Sequence, residues 1–409
     1  VDSAKFIDIV SASRLEPLQD GVLLLIDLDD FGMINETYGY KKGDFVLQLL
    51  VARLAYRFPK HRIGKADGSA FLMFADIDSA EKEELASAVL GTIAEPIYIK
   101  SDVVTMTASI GIAEVASVMT TEQSLLAAKV ALGDTKKRRR GTFLVSSEDA
   151  VRSRKRTVQL KRAFYASDLE KQFYLVYQPQ IDIKTGLISG AEALVRWQHP
   201  VFGLISPSEF IPIAEGTRFI ERIGRHVLHE ACQQCKAWCD ETGKRLTIAV
   251  NISPWQVIQP DFFEEVVRTL AETELDASLL EIELTEHVAF EDEERIIERL
   301  KSLQALGVNI ALDDFGMGYS SLQTLARLPI QQLKFHRELI ASPHNSKTKR
   351  AVIETIVLLG KRLGKTIVAE GIENEEEAAL VRSLGCDRFQ GYLFHKPLRA
   401  EGWRELLTS

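Results

Sequence analysis

The chain has no apolar run approaching the ~18–20 residues of a membrane-spanning helix. It also has no excess of positive charge: 50 Lys and Arg stand against 58 Asp and Glu, for a net charge of −8. The first lack excludes a helical span in this sequence. The second excludes a general attraction to nucleic acid or anionic lipid, so an anionic ligand must meet a local cluster of basic residues or metal ions. Cysteine is scarce. Of the four, Cys232, Cys235 and Cys239 share HVLHEACQQCKAWC, and Cys386 stands alone. A zinc site from His226, His229, Cys232 and Cys235 fails on geometry, because steps of three residues drift around a helix and cannot close a tetrahedron. Cys232, Cys235 and Cys239 read as one packed helical face, which suggests a reducing compartment. The opening VDSAKFIDIV lacks the basic, apolar, small layout of a signal peptide. The expectation is a cytoplasmic piece of a longer protein.

What is present is an ordinary globular composition, 46% apolar and 26% charged over 409 residues, enough for two domains. Residues 1–146 read as an α+β unit: the strand DGVLLLIDLDDF, the helix GDFVLQLLVARLAYRF, a hairpin at KADGSAFLMFAD, a helix through EKEELASAVLGTIA, a strand VVTMTASIGIAEV and a helix near SLLAAKVALGD. Residues 147–171 are charged and free of Pro and Gly, which predicts a connecting helix. The basic run Lys136–Arg140 just before it reads as a solvated helix end. Residues 172–409 alternate short β-rich runs with helices. The runs are YLVYQPQ, GAEALVRW, LTIAVNIS, LLEIELTE, VNIALDD, QQLKFH, TIVAEGIE and DRFQGYLF. This predicts an eight-stranded barrel of the TIM type, with an open doubly wound sheet as the alternative.

Nearly every one of these runs ends in polar residues: Glu192, Asn251, Glu283 with Glu286, Asp313 with Asp314, Lys334, Glu370 with Glu373, and Gln390. In a barrel such ends converge on one mouth. Carboxylates gathered there repel, by about 4 kcal/mol per pair at ~4 Å and an effective dielectric of about 20. Divalent ions relieve that, and an oxygen-only donor set suits Mg²⁺ or Mn²⁺. The adjacent Asp313 and Asp314 suit a two-ion site, and Lys334 adds a cation beside a phosphate. The residues by themselves point to a metal-dependent barrel hydrolase of a phosphate ester.

The second part also resembles the EAL family of cyclic di-GMP phosphodiesterases. It carries Glu192-Ala193-Leu194-Val195-Arg196-Trp197, Tyr177-Gln178-Pro179, Val250-Asn251-Ile252-Ser253, Glu283-Leu284-Thr285-Glu286, Asp313-Asp314-Phe315-Gly316, Lys334, Glu370-Gly371-Ile372-Glu373 and Gln390-Gly391-Tyr392. The resemblance implies Glu192, Asn251, Glu283 and Asp313 around a first ion, and Asp313, Asp314 and Glu370 around a second. It implies Lys334 as the residue that holds or deprotonates the attacking water, with Glu192 and Glu370 in the catalytic set. Arg196 is implied as a phosphate grip, Gln178, Leu194 and Gln390 as the nucleotide groove, and Glu286 as a loop brace. The implied reaction is hydrolysis of cyclic di-GMP to pGpG in bacterial second-messenger signalling, with dimerisation through the barrel. One position departs: where the family reads Lys-Ile-Asp, this chain has Lys334-Phe335-His336. A weakened or non-hydrolysing cyclic di-GMP receptor is therefore the rival reading.

Residues 1–146 resemble the GGDEF family of diguanylate cyclases through Ile26-Asp27-Leu28-Asp29-Asp30-Phe31, Asn35, Gly39, Gly43-Asp44 and Ser109-Ile110-Gly111-Ile112-Ala113. The signature itself reads Asp67-Gly68-Ser69-Ala70-Phe71, Gly32 replaces a lysine, and Phe58-Pro59-Lys60-His61 replaces the inhibitory motif. The expectation is a degenerate domain (a nucleotide-cyclase-like, ferredoxin-like palm) without cyclase activity. Asp27, Asn35 and Asp44 are its implied GTP contacts, or else they only preserve the fold.

Overall fold

Alternation along one buried strand organises the first unit. In the computed structural model, which describes residues 21–66, 68–99, 102–115, 121–285, 293–316, 325, 327–340 and 347–408, strand β1 spans Gly21–Leu28. Its even-numbered residues Val22, Leu24 and Ile26 enter one core, and Leu23 and Leu25 enter another. Period-2 side chains on a central strand require cover on both faces. The first core holds Val46 and Leu50 of a helix at Tyr40–Arg57 (α2), which follows Phe31–Tyr38 (α1), together with Val89 and Ile93 of Lys82–Ala94 (α3). The second holds Ala128 and Leu132 of Thr121–Arg138 (α4).

The sheet runs β2 (Arg62–Lys65), β3 (Ala70–Ala75), β1, β6 (Ala108–Val115), β7 (Phe143–Val145); β1 is antiparallel to both neighbours and β7 parallel to β6. Gly111 on β6 is obligatory, since a Cβ there would lie 2.0 Å from the Ala128 carbonyl oxygen of α4. The strand expected over VVTMTASIGIAEV is two. Asp102–Val104 (β5) pairs with Ile97–Ile99 (β4), and β6 starts only at Ala108. The cause is Asp29: its N–H binds the Thr107 carbonyl (2.9 Å) and its carboxylate accepts from Thr107 and Ser109 (both 2.8 Å), bending the chain between β5 and β6.

The expected connecting helix is also in two pieces, Glu148–Tyr165 (α5) and Leu169–Gln172. The division between the units Val1–Gln159 and Leu160–Ser409 falls within α5.

In the second unit all eight expected runs are strands: β8 (Phe173–Asp182), β9 (Ile188–His199), β11 (Thr247–Asn251), β12 (Leu280–Thr285), β13 (Asn309–Phe315), β14 (Gln332–Phe335), β15 (Thr366–Ala369) and β16 (Arg388–Phe389). The sheet order β9-β11-β12-β13-β14-β15-β16-β8 closes by pairing of β8 with β9, and a short β10 (Gly203–Ile205) hangs on the extended end of β9. The closed barrel decides against the open sheet. It departs from an all-parallel TIM barrel at one place: β8 is antiparallel to both β9 and β16. A hairpin of five residues joins β8 to β9, too short for the crossover that parallel strands need. Gln178 therefore reaches the mouth from the middle of a reversed strand, opposite Glu192.

Helices Phe219–Thr242 (α6), Phe262–Thr273 (α7), Glu293–Leu306 (α8), Lys347–Arg362 (α9) and Glu375–Ser383 (α10) belong to the same unit. Cys232 and Cys235 are buried on α6, as the packed-face reading expects. The helix stops at Gly243, whose φ of 67° and N–H bond to Cys239 O form a left-handed cap. Among the described residues no helix is long and apolar enough to cross a membrane.

Candidate active site in the barrel mouth

Strand β12, LEIELT, puts apolar and acidic residues on alternate sides. Leu280, Ile282 and Leu284 join the apolar core, while Glu281 and Glu283 bond to Gln332 and Lys334 of β14. Glu283, level with Asn251 on β11, is fully buried. Lys334 is also fully buried, and its ammonium is the hub of the site. It contacts Glu283 Oε1 directly and lies 2.6 Å from Glu370 Oε1, 3.8 Å from Glu192 Oε2 and 3.9 Å from Asp313 Oδ1. Asn251 Nδ2 (2.7 Å) and Gln390 Nε2 (2.5 Å) donate to the two oxygens of Glu192. Six expected site residues from different strands thus meet around one cation.

The paired acids Asp313 and Asp314 have a backbone explanation. On β13, Leu312 pairs with Leu333 and Phe315 with Phe335, so β13 takes one residue more than β14 over this stretch. That is a β-bulge, and Asp314 at φ 55° carries it. Aspartate tolerates this left-handed region better than most residues. In a regular strand, neighbouring side chains face opposite ways. Here Asp313, Asp314 and Glu370 each bring a carboxylate oxygen within 4.8 Å of the others.

The electrostatics are unbalanced. Burial alone would push Glu192 up, but the charge of Lys334 and the bonds from Gln390 and Asn251 hold it below the usual carboxylate range. Burial raises Glu283 and Glu370 well above that range and raises Asp313 too, with Lys334 offsetting only part. Burial opposes the charge on Lys334, yet the surrounding carboxylates, Asp313 first, lift it well above its ordinary value. Among the described residues Glu283 Oε2 and Glu370 Oε1 are without a hydrogen-bond partner, although Lys334 Nζ lies 2.6 Å from the latter. Buried carboxylate oxygens left without donors are what an oxygen-seeking divalent ion satisfies. The residues present fit one.

Two cavities of about 300 Å³ and 290 Å³ adjoin the cluster. Gln178, Glu192, Glu370 and Gln390 line the first, together with His336 and Tyr392. Leu194, Arg196 and Asn251 line the second, which is largely apolar. Every candidate groove residue is therefore at the mouth. Glu286 lies outside the described residues.

The first unit places Asp27 opposite Ala70 on β3, so the register supplies no second carboxylate. Instead Ser69 Oγ donates to Asp27 Oδ1 (2.8 Å) and Lys136 Nζ to Oδ2 (2.5 Å). Sequence reasoning treated Lys136 as part of a solvated run. Only the packing of α4 on the sheet brings it to a residue so distant in the chain. Asn35 covers Gly43, where a Cβ would lie 1.9 Å from its Oδ1, and Asp44 is exposed on α2.

Comparison with known proteins agrees with this arrangement. Residues 158–397 match the EAL domain family and residues 7–142 the family described as diguanylate cyclase, GGDEF domain. The chain is similar to the bifunctional diguanylate cyclase/cyclic di-GMP phosphodiesterase MucR of Pseudomonas aeruginosa, 34% identical over 390 residues, covering 95% of this chain and 56% of that protein. It is similar to the signaling protein YkoW of Bacillus subtilis, 32% identical over 395 residues, covering 95% and 49%. The chain spans about half the length of the curated relatives it matches. Among solved structures, the PaMucR phosphodiesterase in complex with c-di-GMP is 39% identical with a TM-score of 0.57, covering 60% of this chain and 99% of that one. The EAL enzyme Bd1971 with cAMP and cyclic di-GMP bound is 25% identical with a TM-score of 0.60, covering 76% and 92%. The clustered barrel-mouth motifs and these matches together show that the chain belongs to the EAL domain family, with a GGDEF domain in tandem before it.

Proposed function

We propose that the second unit hydrolyses cyclic di-GMP to pGpG, and that the first unit is a regulatory domain without cyclase activity. The observation that carries the reading is the crowding of Glu192, Glu283, Asp313 and Glu370 around the buried Lys334. Glu192, Asn251, Glu283 and Asp313 would hold one Mg²⁺ or Mn²⁺, and Asp313, Asp314 and Glu370 another. Bound there, such ions supply Lewis acidity to the attacking water and the leaving oxygen. The chain's own residues do the rest. Lys334 keeps a positive charge beside the phosphate. Arg196, half-buried, offers a planar fork to a phosphoryl oxygen. Leu194 and Gln178 border the two cavities that take the rest of the dinucleotide. A water oxygen bonds to phosphorus, one P–O3′ bond breaks, and the 3′ oxygen leaves with a proton.

The reading of the first unit rests on Asp27. Its carboxylate is engaged by Ser69 and Lys136, and the position opposite it is Ala70. Asn35 and Asp44 remain as nucleotide contacts, so GTP is the candidate regulator.

The test is turnover of cyclic di-GMP with Mg²⁺ or Mn²⁺, with and without GTP. Release of pGpG is expected, with no cyclic di-GMP formed from GTP. Intact cyclic di-GMP binding without pGpG, even at high protein concentration, would replace the enzyme by a receptor that signals through a change of shape. His336, in place of an acid beside Glu370, is the observation that favours this second reading.

A further inference from the structure

His336 follows β14 and precedes a short helix at Arg337–Ile340. Its carbonyl accepts the Leu339 N–H (3.1 Å), and its imidazole Nδ1 accepts the Glu338 N–H (3.2 Å). The residue is thus the N-cap of that helix, and the ring nitrogen does what a capping carboxylate oxygen does elsewhere. This bond fixes the tautomer. A nitrogen that accepts from a backbone N–H carries no proton, so in the neutral ring the proton sits on Nε2. Nε2 then has no lone pair to give a metal ion. Ligation through Nε2 would need the proton on Nδ1, facing the Glu338 N–H donor to donor. The same residue lines the 300 Å³ cavity with Gln178, Glu192, Glu370, Gln390 and Tyr392. Of the two ring nitrogens, only Nδ1 has a hydrogen-bond partner among the described residues.

We infer that His336 is a substrate-binding residue and not a metal ligand: its Nε2–H donates to a non-bridging phosphate oxygen of the phosphodiester in the barrel mouth. The inference deepens the proposed function and rests on it. It replaces a missing carboxylate by a donor, which moves the contribution of this position from the ions to the anionic ligand.

The decisive variant is His336→Asn. Asn is among the best N-caps, so the turn and the fold are retained while the donor at the reach of Nε2 is removed. His336→Ala serves as a second variant. Mn²⁺ titration of the intact chain, followed by electron paramagnetic resonance without nucleotide, should give the wild-type stoichiometry and affinity in both variants. The KM of His336→Asn for cyclic di-GMP should rise about 10-fold, as expected for one hydrogen bond to a charged group, with kcat nearly unchanged. Loss of a Mn²⁺ equivalent in both variants would make His336 a ligand and overturn the inference. So would an unchanged KM in His336→Asn, with the proposed function left standing. A wild-type chain that takes up neither Mn²⁺ nor cyclic di-GMP would overturn both.

Discussion

Lys334 is a buried ammonium among four carboxylates, and removing it separates two effects. In Lys334→Ala the acids lose the cation at their centre, so the metal-free barrel should melt at a lower temperature than wild type. Breaking a buried pair in this way commonly costs about 3–5 kcal/mol, and Mg²⁺ should recover much of it. Turnover should fall by about 10²–10⁴, the range for a group acting on the proton or charge of the reacting centre, while cyclic di-GMP binding persists. Thermal melts in chelator and in Mg²⁺, beside a pGpG assay, read both effects. An activity loss below threefold would remove Lys334 from the catalytic set. Asp314→Asn keeps a side chain suited to the φ of 55° but removes a charge. It should weaken Mn²⁺ binding at least 10-fold with little change in stability, as read by the same resonance titration. The identities of these residues were legible in the sequence. Their grouping around Lys334, and the capping role of His336, depend on side-chain positions that residue type alone does not set.

At the scale of elements, strands were the most legible. Each run in the second unit is short, apolar and bounded by turn residues, and all eight are strands of the barrel. Two features were not legible. The reversed direction of β8 follows from a hairpin too short for a crossover. The bulge at Asp313–Asp314 follows from pairing with β14, which is set by register. Helix α6 carries a chemical prediction. Cys235 and Cys239 both approach the Leu246 carbonyl, at 3.3 and 3.9 Å. The neighbouring Cys235 thiol holds the half-buried Cys239 thiol below the ordinary thiol range, whereas burial pushes Cys232 and Cys386 up to about 12. A thiol with a depressed pKa is ionised above that value and reacts as thiolate. Iodoacetamide labelling of the native chain should therefore begin at a lower pH than that of an ordinary thiol and at one site, and Cys239→Ser should abolish it. Labelling of Cys232 in the native chain at pH 7 would contradict the assignment.

At the scale of the whole molecule, two sets of apolar clusters belong to two units. One cluster gathers the barrel and its helices, and the others lie on the two faces of the first sheet. Separate cores unfold as separate cooperative blocks. Calorimetry should show two transitions. Mn²⁺ at about 100 times its Kd should stabilise only the barrel transition, by about 2.7 kcal/mol, because the Asp27 position in the first unit is already satisfied by Lys136 and Ser69. A matching metal-dependent shift of the first unit's transition would show that Asp27 still binds an ion.

The sequence by itself determined the two-domain layout, the barrel and the acids at strand ends, because strand periodicity and residue chemistry are local properties. Tertiary structure decided the rest: the bulge at Asp313–Asp314, the closing of four carboxylates on one lysine, and the contact of Lys136 with Asp27. Each depends on register or on helix packing between distant segments, where a shift of one residue turns a side chain to the opposite face.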